Sequence, residues 1–202
     1  MNCINSVFLR GVVECSPAAE HQAYGENFYT FTLRVNRLSG QPDRISVIVS
    51  ERLFPGRYVD VGDLLEITGE FRSKNMDIDG RRRLVLYVFA QDIQICIEPL
   101  EHENKIELIG FLCKTPVHRH TPLGREIADI MLAVNRRYGR CDYIPCLAWG
   151  RDSVFAKSLR QSDMLHIFGR IQSRNYIKKT EDGEKEMTAW EISCSQLNVV
   201  DM

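Results

Sequence analysis

The sequence repeats itself at a distance of about a hundred residues, and no other feature limits the possible folds as much. Asn5-x-Val7-x-Leu9-x-Gly11 returns as Asn104-x-Ile106-x-Leu108-x-Gly110, an offset of 104 − 5 = 99. Pro17 and Pro116, Leu33-x-Val35-Asn36-Arg37 and Leu132-x-Val134-Asn135-Arg136, and Asp43-x-Ile45 and Asp142-x-Ile144 keep that offset. Asp63-x-Leu65-x-Ile67-x-Gly69 then matches Asp163-x-Leu165-x-Ile167-x-Gly169 at 163 − 63 = 100, and Ser73-x-Asn75 with Ser173-x-Asn175 follows it. A unit of this length is one small domain, so the 202 residues divide into two copies of one plan, 1–98 and 104–202. The joint, Glu98–Glu103, is acidic, contains a proline and is too short to give the copies independence.

Within each copy the apolar residues alternate, as they do on strands with one buried face. In the second copy this predicts strands at Lys105–Leu112, Ile127–Arg136, Asp142–Trp149, Met164–Tyr176 and Met187–Leu197. A short helix is expected over Asp152–Leu159, between the third and fourth strands, with Asp152 or Ser153 as N-cap and Val154, Phe155 and Leu159 as buried anchors. Pro17–Asn27, Lys114–Arg125, Met76–Arg83 and Lys178–Glu186 read as loops. The fold class is therefore all-β, and five short strands per copy favour a closed sheet, because closure removes exposed edges.

The richest stretch is Leu132–Gly150, two alternating runs flanking a basic connection that holds Arg136, Arg137 and Arg140. In its second run Ile144, Cys146 and Ala148 share one parity, while Tyr143, Leu147 and Trp149 share the other. The strand near Met164 repeats the arrangement, with Leu165, Ile167, Gly169 and Ile171 on one side and Arg170, Gln172, Arg174 and Tyr176 on the other. Rings and cations on one sheet face suit a single nucleic-acid strand, whose phosphates need positive charge and whose unstacked bases need flat apolar partners.

Taken in order, Asn104-x-Ile106-x-Leu108-x-Gly110, Leu132-Ala133-Val134, Asp142-Tyr143-Ile144-Pro145-Cys146, Trp149-Gly150, Gly169-Arg170-Ile171-Gln172-x-Arg174-x-Tyr176 and Glu191-Ile192 resemble the pattern of bacterial single-stranded-DNA-binding proteins. The resemblance implies two tandem five-stranded oligonucleotide-binding (OB-fold) barrels, each with a short helix between strands 3 and 4; periodicity alone permits another small barrel. It also implies base stacking on Tyr138, Tyr143, Trp149 and Tyr176, and a homodimer that assembles four barrels. The first copy carries Ser39, Arg44, Ser50 and Met76 at the ring positions, and Glu66 and Glu70 where the second has His166 and Arg170. The C-terminal copy is therefore expected to bind single-stranded DNA and the N-terminal copy, degenerate, to scaffold it.

Net charge is only −1, but it is unevenly divided. Residues 1–103 hold 11 Lys+Arg against 15 Asp+Glu, giving −4, and residues 104–202 hold 15 against 12, giving +3. Phosphate contacts are assigned to Arg170 and Arg174 beside the ring positions and to the loop residues Arg136, Arg137 and Arg140; Arg81, Arg82 and Arg83 give the first copy a basic loop of its own. Trp190 shares parity with Ile192 and Cys194 and reads as core or interface.

The 7 cysteines form no Cys-x-x-Cys and read as buried thiols of a reducing compartment. His118-x-His120 lacks further ligands, so no metal is expected. No cofactor motif, nucleophile–base pairing or carboxylate pair of required spacing points to an enzyme. Without a membrane span or a signal pattern, a cytoplasmic, nucleoid-associated protein is expected. The sequence stops at Val199-Val200-Asp201-Met202, with no acidic recruiting tip, so recruitment of replication or repair proteins through such a tail is not expected. The rival reading is a structural or protein-interaction module resembling the primosomal relatives of the family.

Overall fold

The computed structural model describes residues 3–54, 56, 59–78, 80–98, 100–121, 123–180 and 183–200, with Ile78, Tyr138, Tyr176, 178–180 and 185–187 as backbone only. Among the described residues twelve strands form one sheet. In the first half these are β1 (Asn5–Val13), β2 (Ala18–Ala23), β3 (Glu26–Asn36), β4 (Pro42–Ser50), β5 (Leu64–Ile78) and β6 (Arg81–Ile95). The second half holds β7 (Glu103–Leu112), β8 (Val117–His120), β9 (Glu126–Asn135), β10 (Cys141–Trp149), the helix α1 (Gly150–Phe155), β11 (Met164–Thr180) and β12 (Gly183–Val199).

The topology is all-β and OB-like, with the tandem arrangement the repeat predicts. In each half the sheet curls back on itself: β1 pairs with β3 through Val12↔Arg34, and β7 pairs with β9 through Phe111↔Ala133. The alternating apolar positions fill the interior, where Leu9, Leu33, Ile67, Leu108, Leu132 and Ile167 are all fully buried.

The repeated glycine near the start of β5 and β11 makes this curvature possible. Register slips between Thr68 and Gly69 in one half and between Phe168 and Gly169 in the other, a bulge that bends the strand. A Cβ on Gly69 would lie 2.2 Å from the Phe89 carbonyl oxygen, and one on Gly169 would lie 2.4 Å from that of Ser193. Gly69→Ala is therefore expected to cost about 1–3 kcal/mol through overpacking, measured as a lower urea midpoint.

The repeated asparagine has a matching role. Asn5 donates to the Phe71 carbonyl and accepts from the Phe71 amide, both at 2.8 Å. Asn104 does the same to Ile171, at 2.7 and 2.9 Å. Each side chain thus closes two backbone groups that the ladder leaves open.

The halves are joined edge to edge, with β1 and β7 antiparallel from Asn5↔Leu108 to Arg10↔Glu103. Two reciprocal clasps then cross the junction. Arg37 binds Asp43 and donates from Nη2 to the Ser173 carbonyl at 2.7 Å, while the Ser173 amide donates to Asp43 Oδ1 at 2.8 Å. Arg136 binds Asp142 and donates to the Ser73 carbonyl at 3.0 Å, and the Ser73 amide donates to Asp142 Oδ1 at 2.5 Å. The carboxylates are sealed, Asp43 at 1% and Asp142 at 0% exposure.

Several local expectations need correction. Pro17–Asn27 and Lys114–Arg125 contain β2 and β8, which pair with β3 and β9. β2 is exposed along nearly its whole length, so it lacks the alternation that marks a half-buried strand. The stretches 76–83 and 178–186 are likewise mostly strand, because β5–β6 and β11–β12 stay paired to Ile78↔Arg81 and Thr180↔Gly183.

The helix begins at Gly150, with Trp149 as N-cap and no side-chain cap, not at Asp152 or Ser153. This earlier start turns Ser153 inward, where its hydroxyl donates to the Gly150 carbonyl at 2.7 Å, and leaves Val154 and Phe155 exposed at 47% and 42%. Ala156 and Leu159 are the buried anchors. In the first half the described residues after β4 form only a 3₁₀ turn, Glu51–Leu53.

Among the described residues no helix is long and apolar enough to cross a membrane. Asp201 and Met202, on which the expectation about the C-terminal tip rests, lie outside the described residues.

Candidate nucleic-acid interface

The outward face of the second half is organised by β10 and the β11–β12 hairpin. Along β10, Ile144, Cys146 and Ala148 point into the core, and Tyr143 and Trp149 lie on the opposite side. Six residues of strand separate the two rings by about 20 Å, enough for several nucleotides to pass between them. Tyr143 is 48% exposed, while Trp149 is half-buried, its indole Nε1 donating to Ser193 Oγ on β12 at 3.1 Å. Arg170 is the cross-strand partner of Ser193, so the structure brings Trp149 and Arg170 to one patch.

The cations divide into different classes. Arg137 and Arg140 are exposed at the turn between β9 and β10. Arg136 is not part of that surface: its guanidinium is spent on Asp142 and Ser73, and its bond to Asp142 raises its pKa. Its place in the chain groups it with the loop arginines as a phosphate contact, and the clasp removes it from them. Burial, and next the charge of Arg37, pull the Arg170 guanidinium below the ordinary arginine value; it lies 3.4 Å from Asp43 and donates to Gln172 at 3.2 Å.

Glu191 also belongs to this face, opposite Gln172. It is 6% exposed on the outward side of β12, accepting from Gln172 Nε2 at 2.8 Å and from Arg174 at 3.4 Å. The two form a pair of buried polar residues at a position otherwise open to solvent. This pair fixes the arginines on either side of it.

The β11–β12 hairpin also reaches across to the first half. The Trp190 indole donates to the Arg44 carbonyl at 2.8 Å and packs against the core, the interface role its parity suggested. A groove of about 720 Å³ opens there, lined by Pro42, Arg44, Ser173, Arg174, Thr188 and Trp190 among others. Arg174 thus belongs to the inter-half groove, and Tyr143, whose amide donates to Ser73 Oγ at 2.9 Å, borders the first half's β5. The side chains of Tyr138 and Tyr176 lie outside the described residues.

The thiols show no metal-binding arrangement, and among the described residues no cluster of ligating side chains fits an ion. Cys146 and Cys194 are buried and Cys15 is exposed, with the other four in between. A thiol–thiol hydrogen bond with Cys194, together with burial, holds the free Cys146 thiol well above its ordinary pKa.

Residues 103–200 match the model of the Single-strand binding protein family. The second half of the chain is thus similar to single-stranded-DNA-binding proteins. Single-stranded DNA-binding protein 2 of Listeria innocua is 36% identical over 89 residues, covering 41% of this chain and 55% of that protein. The single-stranded DNA-binding protein of Thermus thermophilus is 26% identical over 200 residues, 83% of this chain and 74% of that one. The chain thus spans about half the length of most curated relatives it matches. The crystal structure of wild-type single-stranded DNA binding protein from Thermus aquaticus superposes with a TM-score of 0.80 at 23% identity, covering 100% of this chain and 95% of that one, which establishes the shared fold.

Proposed function

We propose that this protein binds single-stranded DNA without sequence preference, in replication, recombination or repair, and catalyses nothing. The observation that carries the reading is the outward face of the second half, where Tyr143 and Trp149 stand at the two ends of β10 within a field of arginines. Each half is read as a five-stranded OB barrel, with residues 104–202 holding the main site and 1–98 the strands it is built against. Bases stack on Tyr143 and Trp149, with Tyr138 and Tyr176 as further ring positions. Phosphates meet Arg137, Arg140, Arg170 and Arg174, while Arg136 serves the clasp. The protein is read as cytoplasmic, and as a homodimer that supplies four barrels.

The test is titration with a poly-pyrimidine oligonucleotide while following tryptophan emission, with a native mass measurement of the assembly alongside. Emission is expected to be quenched and affinity to fall with salt, with a log–log slope of about −3 if four phosphates are neutralised at roughly 0.7 per contact. Unchanged emission together with no retention of labelled strand would refute the reading.

A further inference from the structure

The outward face of the second half holds a carboxylate among its cations, where a phosphate chain would be repelled. Along β11 the outward residues Arg170, Gln172 and Arg174 oppose Ser193, Glu191 and Ala189 of β12, so Glu191 lies between the two arginines of that strand. Ser193 in turn holds the Trp149 indole. The side chains form one run of contacts: Arg170 donates to Gln172 Oε1 at 3.2 Å, Gln172 Nε2 donates to Glu191 Oε1 at 2.8 Å, and Arg174 Nε donates to Glu191 Oε2 at 3.4 Å. Arg119 of β8 is bonded to Asp129, which raises its pKa, and the charge of Glu191 adds to the rise.

The fold does not require an acid at this place. Gly69 pairs with Ala90 and Gly169 with Cys194, so β6 and β12 correspond at an offset of 194 − 90 = 104, and Tyr87 takes the place of Glu191 in the first half. Tyr87 opposes Arg72 as Glu191 opposes Gln172, and Lys74, the counterpart of Arg174, lies 5.3 Å over the Tyr87 ring. The position is sealed in both halves, to 9% exposure at Tyr87 and 6% at Glu191. A ring fills it in one half and a charge in the other. A carboxylate sealed from water depends on its partners, here Gln172 and Arg174. The Arg174 side chain is 50% exposed and that of Glu191 only 8%, so the guanidinium can turn to a strand while the carboxylate stays behind.

We propose that Glu191 sets the affinity of this face by competing with the strand's phosphates for Arg174. A phosphate that takes Arg174 takes it from a sealed carboxylate, which keeps Gln172 and loses its bonded cation. Binding at this point exchanges one anion for another instead of forming a new ion pair. Stacking on the rings then supplies the net gain, and Glu191 limits what charge can add to it. Release is eased for the same reason, because the departing phosphate has a replacement 3.4 Å from Arg174. The inference rests on the reading of this face as the single-stranded-DNA site, and gives Glu191 a part in it that opposes binding.

The experiment compares the full-length wild type, Glu191→Gln, Arg174→Ala and the double variant, by anisotropy with a poly-pyrimidine oligonucleotide across salt. Glu191→Gln keeps the size of the side chain and an acceptor for Gln172 while removing the charge. It is expected to tighten binding roughly 5- to 15-fold at low salt, the range for one charge-assisted contact, and to slow dissociation by a similar factor. The log–log salt slope should steepen by about 0.7, because a phosphate then neutralises Arg174 without leaving an anion behind. Arg174→Ala should cost the Glu191→Gln chain more than it costs the wild type, by about the same 5- to 15-fold. An equal gain with and without Arg174 would show general repulsion in place of competition and overturn the proposal. So would a folded Glu191→Gln chain that binds no more tightly than a wild type that does bind, and the site reading would survive it. A wild type that retains no strand at any salt overturns the site reading itself. Should Glu191→Gln fail to fold, Arg174→Ala alone decides: a loss under about 3-fold with the slope unchanged supports the exchange, and a larger loss with the slope shallower by about 0.7 overturns it.

Discussion

Asp142→Ala is expected to destabilise the chain by about 3–5 kcal/mol, the cost of removing one partner from a buried ion pair. Asp142 is fully buried, and its loss would leave the Arg136 guanidinium, the Ser73 amide and the Ser73 carbonyl region without the anion that organises them. For a chain of this size each kcal/mol shifts the melting temperature by about 2–4 °C, so a drop of about 6–20 °C is expected if unfolding is cooperative. Asp43→Ala should behave alike, because Arg37 and Ser173 repeat the arrangement on the other side. Asp142→Asn retains an acceptor and should lose less. A change below about 1 kcal/mol in the alanine variant, measured by urea denaturation, would show that the clasp does not hold the halves together.

Trp149→Ala is expected to weaken single-stranded DNA binding by about 1–3 kcal/mol, roughly 5- to 150-fold, with little change in melting temperature. Tyr143→Ala should lose a similar amount. Since the rings lie about 20 Å apart on β10, the two losses should add in the double variant. Met76→Ala, at the first half's counterpart of a ring position, should change affinity far less. The sequence contains 2 tryptophans, so the Trp149→Ala chain emits from Trp190 alone. Quenching that persists in it would report strand passing through the groove beside Arg44 and Arg174, and equilibrium binding by anisotropy measures the affinities. Full affinity in a folded Trp149→Ala variant would remove this ring from the site.

Glu191 and Gln172 explain why the arginines of this face are not interchangeable. Arg174 leans on Glu191, Arg170 reaches both Gln172 and the first half's Asp43, and Arg136 is withdrawn altogether. Arginines that look alike on a strand diagram differ in how much of their charge is left for a phosphate. The exposed turn arginines, Arg137 and Arg140, keep most of theirs.

The sequence by itself determined the duplication, the parity of each strand and the interior positions, because a two-residue period and a hundred-residue offset are properties of order along the chain. It marked Gly69, Gly169, Asn5 and Asn104 as special without giving a reason, and it missed β2 because a strand exposed on both faces shows no alternation. Only the tertiary structure decided which charges are shared. Asp43 and Asp142 are closed off by serines at distant positions in the opposite half, a pairing that depends on how β1 meets β7. The same holds for Arg174: by parity it matches Arg170, and only its neighbours across the sheet show it bonded to a sealed Glu191. A sheet's surface is built across strands, and adjacency in that direction is set by folding, not by distance along the chain.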